Sequence, residues 1–125
     1  MSSSASPIAS LQPEQTLMFQ EAASASRVIA EQQALNQSRI EAAVARLKTF
    51  APTAIVTCAR GSSDHAATYA KYLFETQLGL VTASAAPSIT SVYLAQPKLN
   101  GMLYVAISQS GKSPDLLASV TQAKA

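Results

Sequence analysis

The sequence predicts an α/β fold built on a parallel sheet, and three observations predict it. Thr53-Ala-Ile-Val-Thr-Cys58 is a short apolar run rich in β-branched residues. It lacks the polar alternation of a one-faced strand, so it reads as buried on both faces. Runs of this kind alternate with helical stretches, the pattern of a parallel sheet with crossover helices. The runs ending at Cys58 and Ile107 each lead into a Gly- and Ser-bearing loop and a helix start.

The elements follow in order. Residues 1–13 are rich in Ser, Pro and small residues and are expected to form a disordered tail. Residues 14–51 form a helical segment. From Thr16 to about Leu35 the chain is rich in Ala, Glu and Gln, without Gly or Pro, and favours helix. Met18, Ala22, Ala25 and Ile29 fall on one stripe. Asn36 and Ser38 suggest a break, with Ser38 as N-cap of a second helix from about Arg39 to Phe50. Its stripe is Ile40, Ala43, Val44, Leu47 and Phe50, and Pro52 closes it.

Residues 52–125 begin with the strand at 53–58. Ala59 to Ser63 is a loop, and Asp64 to about Leu78 a helix that Gly79 ends. Leu80 to Ser84 is a second strand, and Pro87 to Leu94 a short helix. Met102 to Ile107 is a third buried strand. Ser108 to Lys112 is a loop, and Ser113 opens a final helix. The expected sheet order is 2-1-3, in a three-layer, flavodoxin-like arrangement preceded by two helices. Three strands are few for such a sheet and leave an apolar edge unpaired. The sequence is therefore expected to be the first part of a longer protein, or to pair tightly with another chain.

Composition narrows the function. The 125 residues are 48% hydrophobic and 13% charged, with a formal net charge of +2. That suits a folded domain with a core, not a polyelectrolyte. Arg27, Arg39, Arg46 and Arg60 are scattered, so no concentrated basic face for nucleic acid is expected. One cysteine, Cys58, excludes an internal disulfide and fits a reducing cytoplasm. The N-terminus lacks the pattern of a signal peptide, and no apolar run reaches the length of a membrane span. One His and one Cys make a metal site improbable, and no cofactor is implied.

The run Ala106-Ile-Ser-Gln-Ser-Gly-Lys-Ser113 ends like an ATP-binding P-loop. That motif requires a first glycine where this chain has Ala106, and no acidic strand end for Mg²⁺ is evident. What the loop offers is three hydroxyls and an amide, from Ser108, Gln109, Ser110 and Ser113, at the carboxyl end of a strand. Open α/β sheets bind ligands there. Gly111 permits a sharp turn, Ser113 suits an N-cap, and Pro114 suits the first helical position. Asp115 complements the helix dipole, and the helix start is expected to present free amides to one phosphate. Capping alone would also explain serines here.

A companion loop follows the first strand. Arg60-Gly61-Ser62-Ser63-Asp64-His65 carries a glycine, two hydroxyls and an acidic residue. In a 2-1-3 sheet the two loops meet where the winding direction reverses, the usual crevice for a ligand. His65 next to these serines invites a triad reading, but a triad is a matter of spatial geometry, and no Gly-x-Ser-x-Gly elbow is present. Cys58 reads as a small buried residue, and Glu75 as part of a solvated helix face.

These segments carry a family resemblance. "GSSDHAATYAKYLFE" and "ISQSGKSPDLLASVTQAK" resemble the two ligand loops of the sugar isomerase (SIS) domain. More closely, they resemble the isomerase half of glutamine–fructose-6-phosphate aminotransferase and the related glucosamine-6-phosphate deaminases. "LMFQEAASASRV" is similar to the segment preceding that domain, and "APSITSVY" falls where the family has a further ligand-side stretch. The resemblance covers roughly residues 16 to 125 and makes 52–125 the first part of a SIS domain.

It implies that Ser108, Gln109, Ser110 and Ser113 bind the sugar phosphate, with Ser62 and Ser63 lining the same pocket. The aminotransferase pattern has Cys-Gly-Thr-Ser and Gly-Glu-Thr where this chain has Cys58-Ala-Arg-Gly-Ser-Ser63 and Gly-Lys-Ser113. The Arg60 form and the Lys-Ser-Pro-Asp run resemble the deaminase branch, and a chain without a glutamine-hydrolysing domain is expected. The implied chemistry is ring opening, proton transfer between C1 and C2, and loss or gain of the amine. The family's acid–base residues, a glutamate, a histidine and a lysine, come from later in the polypeptide, so the catalytic residues are unknown. The resemblance implies a homodimer at full length. A non-catalytic sugar-phosphate sensor would carry the same two loops.

Overall fold

The structure, a computed structural model, describes residues 12–125. The described residues fall into two compact units, the first ending at Ala45 and the second Arg46–Ala125. The tail expected over 1–13 lies, for residues 1–11, outside the described residues. Pro13–Gln15 forms a single 3-10 turn.

Helix α1 runs unbroken from Leu17 to Phe50, 34 residues, where two helices were expected. Asn36 and Ser38 sit in its interior. The energetics explain why. An interior Asn or Ser costs roughly 0.5–0.7 kcal/mol relative to Ala. A break would strand up to four carbonyls and four amides at the two new ends. Continuity costs less, and Gln37 Nε2 donates to Glu41 Oε1 at 3.0 Å across the expected break. Arg27 pairs with Glu31 at 2.9 Å in the same i,i+4 manner. The helix ends with Ala51 in the left-handed region, φ 48°, ahead of Pro52. No residue of α1 is buried.

The second unit is the α/β part. Strand β1 (Ala54–Ala59) is followed by α2 (Ser63–Leu78), β2 (Thr82–Ser84), α3 (Pro87–Ser91), β3 (Met102–Ile107) and α4 (Pro114–Ala123). The three strands form a parallel sheet in the order β2-β1-β3, as the sequence predicts. β1 to β2 steps to one side. β2 to β3 crosses back over β1, so right-handed crossovers place α2 and α3 on opposite faces. Helix α2 packs on all three strands, and α4 packs on β3 and α3.

The core sits on β1. Ile55, Thr57 and Cys58 are at most 1% exposed, and Ala67 of α2 and Leu116 of α4 close on the sheet. Polar groups within it are satisfied. Thr57 Oγ1 donates to the Ala83 carbonyl, and Thr82 Oγ1 to that of Leu80. The expectation of a third fully buried strand is corrected. β3 is half-buried, with Ala106 exposed. Its apolar sequence suits burial on both faces. However, its only ladder partner among the described residues is β1, and a strand with one neighbour is an edge.

Glu75, read as a solvated residue, has a structural task. Its Oε1 accepts the Thr82 backbone N–H at 3.0 Å at the start of β2, with Lys71 Nζ at 3.7 Å. Gly79 caps α2 in the left-handed conformation, φ 66°. Among the described residues, no helix is long and apolar enough to cross a membrane.

Candidate functional site

The register of the sheet brings the two loops together. Ala59 pairs with Ile107, so the chain leaves β1 and β3 at the same level, on neighbouring strands. The loops that follow enclose a hollow of about 500 Å³. Arg60, Ser62, Ser63, Ile107, Ser108, Gln109, Ser110 and Ser113 line it. All six residues expected at a site from the sequence are in that lining. Arg60 was not among them. The signal for it was its position next to Gly61-Ser62-Ser63.

The loop after β1 is shaped by its main chain. Ser63 N donates to the Arg60 carbonyl, Asp64 N to that of Gly61 and His65 N to that of Ser62. Gly61 has φ 55°. The Ser62 and Ser63 side chains make no hydrogen bond among the described residues, so both hydroxyls can serve a ligand. Ser62 occupies the N-cap position of α2 with helical dihedrals and without a side-chain cap bond.

The loop after β3 is shaped by its serines. Ser108 Oγ accepts the Gly111 N–H at 3.0 Å, and Ser110 Oγ accepts the Lys112 N–H at 3.2 Å. A hydroxyl that accepts from the backbone keeps its own hydrogen to donate, so both can still serve an anion. Gly111, φ 63°, provides the turn, and a side chain there would strain the backbone although its surroundings are open.

The helix start at Ser113 differs from expectation. Ser113 has the extended backbone of an N-cap but no side-chain cap bond. Leu116 N donates to Asp115 Oδ1 at 2.9 Å, and Leu117 N to the Ser113 carbonyl at 3.0 Å. The second is the ordinary first bond of the helix, but the first engages one of the amides expected to be free for a phosphate. Donors from the loops become correspondingly more important. Asp115 also reaches across to the other loop: Arg60 Nη1 donates to its Oδ2 at 2.5 Å.

Other candidates fall away from the hollow. His65 is exposed on the first turn of α2 and is not in the lining, which removes the triad reading. Lys112 is also absent from the lining, which weakens the P-loop reading further. Residues 86–93, expected near the ligand by resemblance, do not line the hollow; α3 packs against α4 instead. Among the described residues no group of His, Cys, Asp and Glu could hold a metal ion.

Behind the site, Tyr104 of β3 is held as a neutral phenol. Burial raises its pKa well above the usual phenol value, and the Cys58 thiol beside it raises it further, while the Ser119 hydroxyl opposes the shift. Ser119 Oγ itself donates to the Asp115 carbonyl at 2.9 Å, which ties this part of the core to the first turn of α4.

The hollow is polar and lies at the carboxyl ends of a parallel sheet, beside the point where strand order reverses, the position at which open α/β proteins bind ligands. No family model matches the chain, and no curated protein does. Among solved structures, it is similar to a crystal structure described as a "putative phosphosugar isomerase" from Silicibacter pomeroyi DSS-3. The identity is 42% and the TM-score 0.68, over 78% of this chain. The likeness covers 29% of that protein, so this chain spans under a third of its length. The comparison supports the α/β fold.

Proposed function

We propose that this chain supplies the sugar-phosphate-binding loops of an amino-sugar-phosphate isomerase or deaminase, of the glucosamine 6-phosphate to fructose 6-phosphate type. One observation carries the reading: Ser62, Ser63, Ser108, Gln109, Ser110 and Ser113 line a single hollow. Capping explains any one of these serines. It does not explain hydroxyls from two separate loops facing one space, and no side-chain cap bond forms at Ser62 or Ser113. The similar structure's description as a phosphosugar isomerase agrees with it.

The division of labour follows from the donors. Ser62 and Ser63 donate from one side, and Ser108 and Ser110 from the other, to the oxygens of one phosphate ester. Gln109, which can both donate and accept, suits a sugar hydroxyl. Ring opening and proton transfer between C1 and C2 require an acid–base group, and none of the residues in the hollow is suited to that work. This chain grips the phosphate. We place it in the cytoplasm, in a homodimer at full length, with 14–51 as a helical segment ahead of the SIS domain that begins at 52.

The test is thermal unfolding of the full chain with glucosamine 6-phosphate and fructose 6-phosphate. Ligand at 100 times its dissociation constant stabilises by about 2.7 kcal/mol, a readily measured shift. No shift at millimolar ester would overturn the reading. Ammonia release from glucosamine 6-phosphate would establish the deaminase. A shift without turnover, in protein carrying all of its domains, would indicate a sensor.

A further inference from the structure

Arg60 is the one residue lining the hollow that carries a formal charge. Its side chain is 61% exposed and donates through Nη1 to Asp115 Oδ2. Asp115 is itself held, because its Oδ1 accepts the Leu116 N–H at 2.9 Å and its side chain is only 21% exposed. The pair spans 55 residues of sequence and joins the loop after β1 to the first turn of α4.

We propose that Arg60 selects the anionic group of the ligand, and that Asp115 is the positioning residue that aims it. This deepens the sugar-phosphate reading and rests on it. Serine hydroxyls and the Gln109 amide bond a neutral oxygen as well as a charged one, so they identify an oxygen without demanding a charge. A guanidinium demands one, and its charge-assisted bonds are roughly twice as strong as neutral ones. It carries five N–H donors in a rigid fork, so one edge can stay on a carboxylate while another serves a ligand. Here Asp115 engages Nη1, and Nε and Nη2 have no partner among the described residues. An exposed arginine without that anchor would have to be ordered by the ligand at an entropic cost.

Calorimetric titration of the full chain with fructose 6-phosphate and with inorganic phosphate tests this. R60Q should weaken both anions by the same factor, ~10-fold or more for a lost charge-assisted bond, because Arg60 reads the anion and not the sugar. R60K, which keeps the charge but not the fork, should recover only part of the loss and also serves if R60Q fails to fold. D115N should weaken fructose 6-phosphate by roughly threefold in the wild-type background and have no further effect in R60Q, as expected for residues acting as one unit. Unchanged ester affinity in R60Q overturns the proposal. So does a loss for the sugar ester alone, or an equal D115N effect in both backgrounds. If the wild type binds neither anion, the sugar-phosphate reading falls with it. If the wild type binds both and R60Q binds both with unchanged affinity, this inference alone falls.

Discussion

The loops after β1 and β3 are made of similar residues and built in opposite ways. The first holds its shape through main-chain bonds, Ser63 N and Asp64 N reaching back to the Arg60 and Gly61 carbonyls, and leaves the hydroxyls of Ser62 and Ser63 unengaged. The second depends on its serines, with Ser108 and Ser110 oxygens bonded to Gly111 N and Lys112 N. On the proposed reading, a serine in the first loop is therefore a ligand contact only. A serine in the second is a structural brace and, on the same reading, a ligand contact as well. Composition does not reveal this difference, because a hydroxyl can donate and accept at once.

Mutagenesis can break or sharpen that contrast. The largest effect should come from replacing both braces. S108A/S110A removes two loop bonds and two ligand donors, at about 1 kcal/mol for each bond. Affinity for fructose 6-phosphate should fall on the order of 100-fold by calorimetry, with a measurable loss of thermal stability. Equal stability to wild type would show that the braces do not shape the loop. G111A should follow. Its added Cβ meets nothing within 4 Å, so the cost is the left-handed backbone alone, about 1–2 kcal/mol by denaturant unfolding. A smaller loss would mean that the loop relaxes to another turn. S62A and S63A should each weaken the ester by ~5–10-fold, one hydrogen bond's worth, and leave the unfolding midpoint unchanged. A fall in midpoint would erase the distinction between the loops.

The smallest effect concerns neither loop and is confined to alkaline pH. The pKa of Tyr104 is raised in the fold above its ordinary value of 10.0. The unfolded phenol therefore ionises first, and its contribution to stability, fully present below pH 10, is lost as pH rises from there toward the folded value. Denaturant unfolding at pH 9 to 11 should show that decline, and Y104F should flatten it.

Much of the fold was legible because β1 and β3 are uniform apolar runs bounded by Pro52, Gly61, Gly101 and Gly111. The 2-1-3 order followed from alternation with helices. The break at Asn36 was misjudged because residues that favour helix ends are only mildly unfavourable inside a helix, and the alternative, two fresh ends, costs more. β3 was expected to be buried because six residues report their own polarity, not how many neighbours the sheet supplies. The six hollow residues were legible as a motif repeated after two strands. The pairing of Arg60 with Asp115 was not, since it depends on where the ends of β1 and β3 come to lie.

Cys58 lies at 0% exposure in the central strand and is the chain's sole thiol. A maleimide or aromatic disulfide reagent can reach it only when the sheet parts, so the rate of labelling reports how often that happens. The protein thus carries an intrinsic clock for opening of its core, readable without introducing any foreign probe. Slower labelling on addition of a sugar phosphate would measure how far binding in the hollow is transmitted to the strand beneath it.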